Sequence, residues 1–155
     1  MSALLPVKKP NTDAEAQSAL FQTKQYSGKV ATDWLTLEAD LTRTTIGFGP
    51  GPNGRAFGYT GLALYEAVLP GMPSYQSVFT RITGKTFTTE QMKNYYWPAA
   101  ANAALAQIIR NLFVDASTQN KAAIEQLEAQ YSGSFQNKAT AEEINRAVEF
   151  GEKSC

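Results

Sequence analysis

Three side chains that could do chemistry share one face of a predicted helix. Arg55, Tyr59 and Glu66, with Leu62 between them, are spaced four, three and four residues apart, so they form one stripe on a helix over residues 55–69. A guanidinium, a phenol and a carboxylate in a buried stripe could form half of a ligand or catalytic site, because burial shifts the pKa of a carboxyl group. The same residues could instead form a satisfied polar network that fixes neighbouring helices, and we favour this structural interpretation.

Asn102 lies within an apolar helical segment and allows the same two interpretations, of which we again favour the structural one. The sequence contains no histidine, and Cys155 is its only cysteine. An internal disulfide, the usual zinc ligand sets, histidine general bases and histidine-dependent triads are therefore excluded for this chain alone. We predict no catalytic, cofactor-binding or metal-binding residue, so the candidate polar network is Arg55, Tyr59, Glu66 and Asn102.

Two glycine-containing strings imitate phosphate-binding motifs. Gly49-Pro-Gly51-Pro-Asn-Gly54 matches GxGxxG, but a predicted helix precedes it, two prolines remove N–H donors and no acid lies between Glu66 and Glu90. Gly84-Lys85-Thr86 imitates the end of a P-loop, whose first glycine would fall at Phe79. We interpret residues 47–54 as a tight connection between helices and the second string as a chance tripeptide.

Aromatic side chains cluster at Trp34, Trp97 and the pair Tyr95-Tyr96. They could stack on a sugar or a base, or they could anchor the core, which is the more common role of such residues. The residue types alone leave both interpretations open.

Charge and hydropathy exclude several partners. The 14 basic and 14 acidic residues balance and are interspersed, so we expect no nucleic acid. No window approaches the ~18 apolar residues of a transmembrane helix, so no membrane span is expected. The first residues lack the pattern of a signal peptide, which leaves localisation undetermined.

Periodicity and cap residues predict an all-α fold of about five helices with no convincing strand. Residues 1–26 read as a flexible lead-in, and 70–96 as a long ordered loop with one helical turn at Thr89–Asn94. A helix over 55–69 is apolar on nearly every face and is expected to be central. The remaining predicted helices cover 30–47, 98–113, 117–131 and the residues from Thr140 onward, where Thr140 and Glu143 form a capping box.

Several strings resemble a known family. They are Thr42-Arg-Thr-Thr-Ile-Gly-Phe-Gly-Pro50, the segment Arg55–Pro73, Tyr75-Gln-Ser-Val78, and the segment Tyr96–Ala106 with Leu112-Phe113. Together they resemble the N-terminal helical region of bacterial vanadium-dependent haloperoxidase-like proteins, in the type 2 phosphatidic acid phosphatase superfamily. The resemblance covers roughly residues 27–155. It implies a helical bundle in which lysine, arginine, serine and backbone N–H groups hold vanadate or phosphate beside two histidines. In the family these groups come from Lys-x6-Arg-Pro, Pro-Ser-Gly-His and Ser-Arg-x5-His-x3-Asp, none of which occurs here.

The resemblance implies that residues 27–155 are a non-catalytic N-terminal scaffold of a haloperoxidase-like or acid-phosphatase-like enzyme, inactive alone and truncated before its catalytic half. The implied partner is that missing half, and vanadate or phosphate would be bound only by full-length relatives, which are often exported or in the cell envelope. We expect self-association through uncovered apolar faces of 55–69 and 98–113. A free-standing helical binding module is the alternative.

Overall fold

A computed structural model describes residues 22–90 and 93–155. Most of the predicted lead-in, residues 1–21, lies outside the described residues. The remainder contains a 3-10 turn, Thr23–Gln25, and the Thr23 hydroxyl donates a hydrogen bond of 2.8 Å to the carbonyl oxygen of Val68. The described chain therefore begins in contact with the helical domain.

The predicted all-α class is confirmed. Five of six α-helices are long, and the described residues contain no strand. The helices are α1 (Lys29–Thr44), α2 (Pro50–Val68), α3 (Val78–Thr83), α4 (Trp97–Leu112), α5 (Thr118–Phe135) and α6 (Ala141–Lys153), and a second 3-10 turn, Leu69–Gly71, follows α2.

Cap residues set the starts of two helices as the sequence indicates. At α6 the Thr140 hydroxyl accepts from the Glu143 N–H while the Glu143 carboxylate accepts from the Thr140 N–H, so the predicted capping box is present. At α5 the Ser117 hydroxyl accepts from the Asn120 N–H at 3.2 Å.

The start of α2 corrects one prediction. The connection expected over residues 47–54 is wrong, because the helix begins at Pro50. Pro50 and Pro52 stand in the first turn, where a backbone N–H has no acceptor within the helix, so prolines are tolerated there. Only residues 45–49 remain as the connection, and Gly47 takes the left-handed conformation with φ of 97°.

The helical turn in the long loop also differs from the prediction. The described residues between Thr89 and Asn94 are not helical, and the turn lies earlier as α3. Its N-terminus is capped by the Ser77 hydroxyl, which accepts from the Thr80 N–H, and it ends at Gly84, whose φ is 72°. Serine before and glycine after α3 are strong helix-end signals, and no glycine follows Thr89 as far as Asn94.

The central helix is α4, which packs against α6, α2, α5 and α1. Most of its side chains are buried, so the prediction of an uncovered apolar face on residues 98–113 is wrong. In contrast α2 is not surrounded by protein, since Tyr59 is 54% exposed. Its buried residues are Glu66 and the small residues Ala56, Thr60, Ala63 and Ala67.

Candidate functional site

The stripe predicted on α2 is divided between solvent and interior. Arg55 and Tyr59 are exposed, whereas Glu66 is 3% exposed. The prediction of one buried network is wrong for Arg55 and Tyr59, because α2 turns Ala56, Thr60 and its other small residues to the core instead. The structure does not bring the four predicted residues together, and Glu66 and Asn102 have separate partners.

Glu66 organises the first turn of α3. Its Oε2 accepts a hydrogen bond of 2.8 Å from the Ser77 hydroxyl, and its Oε1 accepts one of 2.9 Å from the Phe79 N–H. The Ser77 hydroxyl in turn accepts from the Thr80 N–H at 2.8 Å. One carboxylate and one hydroxyl thus satisfy two N–H groups that a helix leaves free at its start.

Glu66 also borders a cavity of about 440 Å³, which we call the Glu66 cavity. It lies between the C-terminal part of α2, α3, the following loop and α6. Glu66 is the only charged residue among the described residues that line it. The lining combines hydroxyl groups with aromatic rings, notably Tyr75, Thr80, Thr86, Phe87, Thr88 and Phe150.

Asn102 joins three helices through its side-chain amide. Its Oδ1 accepts from the Trp34 indole N–H at 2.8 Å, and its Nδ2 donates to the Glu128 carbonyl oxygen at 3.2 Å and to the Ser132 hydroxyl at 3.4 Å. The amide, which is 3% exposed, therefore links α4 to α1 and α5. Both of its polar atoms are occupied, as in a network that positions helices.

Replacing Asn102 should destabilise the fold. In Asn102→Ala the buried Trp34 N–H loses its acceptor, and we expect the free energy of unfolding to fall by about 2–3 kcal/mol. Urea denaturation measures the change. Asn120→Ala is the matched control, because the half-buried Asn120 amide bonds only the exposed Thr44 hydroxyl, and it should shift stability by no more than about 0.5 kcal/mol. Equal effects of the two variants would contradict a structural role for Asn102.

Glu38 is a fully buried carboxyl group on α1 that was not among the predicted site residues. Its exposure is 0%, its Oε1 accepts from the Thr60 hydroxyl at 2.9 Å, and its Oε2 has no hydrogen-bond partner among the described residues. Burial raises the pKa of Glu38 to about 7, although the Thr60 hydrogen bond acts in the opposite direction. A signal existed, since Glu38 lies four residues after Trp34 and three before Leu41, within the apolar stripe of α1.

The aromatic cluster belongs to the core. Trp34, Tyr95, Tyr96 and Trp97 are each at most 8% exposed. Tyr95 stacks on Trp97 with ring centroids 5.2 Å apart, and Tyr96 meets Tyr26 edge-on at 5.3 Å. These rings anchor helices and leave no face free for stacking on a sugar or a base.

The arginine side chains of the described residues are dispersed over the fold. A tetrahedral oxyanion needs clustered cations and N–H donors, but the five arginines lie on five different helices. Three of them already bond to acids or carbonyls: Arg43 to Asp40, Arg110 to Glu125 and Glu128, and Arg146 to the Asn94 carbonyl. The part of the chain that the structure describes also has no group of three acidic, cysteine or histidine residues suited to a metal ion.

No described helix has both the length and the apolar character required to cross a membrane. Comparison of the chain with protein-family models, curated proteins and solved structures finds no match.

Proposed function

We propose that the chain is the non-catalytic N-terminal helical scaffold of a vanadium-dependent haloperoxidase-like or acid-phosphatase-like enzyme, whose catalytic half lies outside it. The all-helical fold and the strings between Thr42 and Phe113 support this proposal. The observation that carries it is the outer side of α2. That side lies within the resembling region and leaves room for another helix.

We call Gly51, Gly54, Gly58 and Gly61 the glycine face. They lie on one side of α2, opposite the residues that face the core, and all four are exposed. A Cβ atom added at any of them would meet no described atom within 4 Å. None has a positive φ, so the local backbone does not require glycine. Each glycine instead destabilises an exposed helix by about 1 kcal/mol relative to alanine.

A helix face without side chains allows the backbone of a second helix to approach closely. Tyr59 and the half-buried Leu62 border the glycine face and offer apolar contact beside it. No described helix of this chain occupies the face. A further helical segment would therefore fit there, and we assign that place to the catalytic half.

The non-catalytic part of the proposal is tested by activity. The chain should show no vanadate-dependent oxidation of bromide by hydrogen peroxide and no hydrolysis of p-nitrophenyl phosphate. It has no histidine for either reaction. Turnover that follows this polypeptide through purification would contradict the proposal. Sequencing the reading frame beyond Cys155 is the direct test of the scaffold role, which requires the Pro-Ser-Gly-His motif downstream.

The glycine face makes its own stability prediction. Gly54→Ala and Gly58→Ala should each raise the free energy of unfolding by about 1 kcal/mol, because alanine is the better helix former and nothing described contacts either position. Thermal and urea unfolding of the full chain measure the gain. A loss of stability would show that another part of this chain packs on the face, and the face would then be unavailable to a partner.

A free-standing binding module is the second candidate, favoured by the enclosure of α4. Because four helices surround α4, the described part completes its own core. A cavity of about 470 Å³ between α4, α5 and α6, lined by residues such as Asn102, Phe135 and Asn145, offers a site. Light scattering, thermal melting and dye binding separate the two candidates. A monomer that melts cooperatively and excludes hydrophobic dyes favours the module, whereas self-association favours the scaffold.

A further inference from the structure

We propose that the Glu66 cavity binds the protonated amino group of a small molecule, a primary alkylammonium or arylalkylammonium ion. The site is distinct from the glycine face and does not depend on the catalytic half. Four observations support it: the charge of Glu66, the lack of a cationic partner for that charge, an unpaired hydroxyl in the lining, and an aromatic wall.

The charge of Glu66 has no cationic partner among the described residues. Glu66 is 3% exposed, and no described lysine or arginine forms an ion pair with it. Its two hydrogen-bond donors, the Ser77 hydroxyl and the Phe79 N–H, are both neutral. Buried carboxylates are normally paired with a cation, because a lone charge in a low-dielectric site is costly. A cation from outside the chain would supply the missing charge.

The lining also contains hydrogen-bond acceptors that an ammonium group would need. An ammonium group has three donors and no acceptor, so its site must offer acceptors. A carboxylate offers about four acceptor positions, of which Glu66 uses two within the described chain. Thr80 lines the cavity, and its buried Oγ1 has no partner among the described residues. Glu66 therefore has acceptor positions left for an ammonium group, and rotation of the Thr80 side chain would bring its hydroxyl oxygen to a second donor.

Aromatic rings form part of the cavity wall. Phe87 is stacked on Phe79 with centroids 4.6 Å apart, and Phe150 is held edge-on by Tyr95 at 6.0 Å. Rings fixed in this way provide apolar surface for the carbon part of an amine and negative ring faces for its charge. The volume of about 440 Å³ suits a small organic molecule.

Other ligand classes fit this cavity less well. An anion would meet the carboxylate with no cation in the described lining to offset it. A divalent metal ion prefers several carboxylates, and Glu66 is the only carboxylate among the described residues of the lining. A neutral molecule would leave the charge of Glu66 unpaired. These comparisons select an organic cation with N–H donors.

The test uses phenethylammonium chloride as probe and 2-phenylethanol as its neutral counterpart. Calorimetry and NMR titration of the full chain should show saturable binding of the amine, with shifts at Phe87 and Phe150. The alcohol should bind about tenfold or more weakly, because it lacks the charge. Potassium chloride at equal ionic strength should not reproduce the shifts.

Variants assign the effect to the cavity. Glu66→Gln should remove the preference for the amine over the alcohol, and Thr80→Val should weaken the amine about threefold to tenfold. Glu38→Gln, which alters a buried carboxyl group on α1 away from the Glu66 cavity, should leave amine binding unchanged. Equal binding of amine and alcohol to the natural chain would overturn the proposal. So would a preference that survives Glu66→Gln or, if that variant does not fold, undiminished amine binding in Thr80→Val.

Discussion

Gly151→Ala is expected to destabilise the chain by about 3 kcal/mol, although alanine is the better helix former. A Cβ atom at position 151 would lie far inside van der Waals contact with the carbonyl oxygen of Ala100. That oxygen belongs to the backbone of α4, so no side chain can rotate away. The only relief is to separate α6 from α4, which opens the most extensive helix contact in the described fold.

Gly133→Ala on α5 is the matched control. Gly133 is exposed and a Cβ atom there would meet no described atom within 4 Å, so the same change should stabilise by about 1 kcal/mol. Urea unfolding of both variants reports the difference. If Gly151→Ala proved as stable as Gly133→Ala, the close packing of α6 on α4 would be wrong.

The second large effect is a fall in stability with rising pH. Glu38 has an ordinary pKa of 4.5 when unfolded and a pKa of about 7 when buried, so between these values the folded chain keeps a proton that the unfolded chain releases. The free energy of unfolding should therefore decrease from pH 4.5 to above pH 7, by roughly 3 kcal/mol. Stability is greatest near the acidic end of this window and levels off once Glu38 ionises in both states.

Two carboxyl groups whose pKa is lowered by folding change the stability in the opposite direction to Glu38, and they titrate at lower pH. The Arg110 guanidinium lowers the pKa of Glu125, and hydrogen bonds from Thr140 lower that of Glu143. Their contributions are lost only as pH falls through the acidic range, below the Glu38 window. Because the chain has no histidine, no histidine can produce the slope between pH 5 and 7.5.

Glu38→Gln tests the assignment, because the amide keeps the shape and cannot ionise. Its stability should be flat from pH 5 to 7.5, and at pH 8 it should at least equal that of the natural chain. Urea titrations at closely spaced pH values give both profiles. A slope that persists in Glu38→Gln would assign the titration to another group.

Local patterns predicted most of the helices, since caps and periodicity act over a few residues. The capping box of Thr140 and Glu143 and the extent of α4 needed no knowledge of distant contacts. The start of α2 was misplaced because glycine and proline usually mark a turn, yet Pro50 is compatible with a first helical turn.

The polar residues were harder to predict, because their partners are distant along the chain. Asn102 bonds Trp34 across 68 residues, and Glu38 bonds Thr60 across 22. The spacing on α2 predicted Arg55, Tyr59 and Glu66 in one buried stripe, whereas only Glu66 of the three is buried. Its actual partners, Ser77 and Phe79, come from a segment whose short helix was predicted elsewhere.

The order of synthesis gives the contact between α4 and α6 a further meaning. α6 is translated after every other described helix, yet it covers the alanine-rich side of α4 around Ala100. Until Gly151 leaves the ribosome, that side has no partner and the nascent chain exposes apolar surface. The domain must therefore complete its folding after translation of α6.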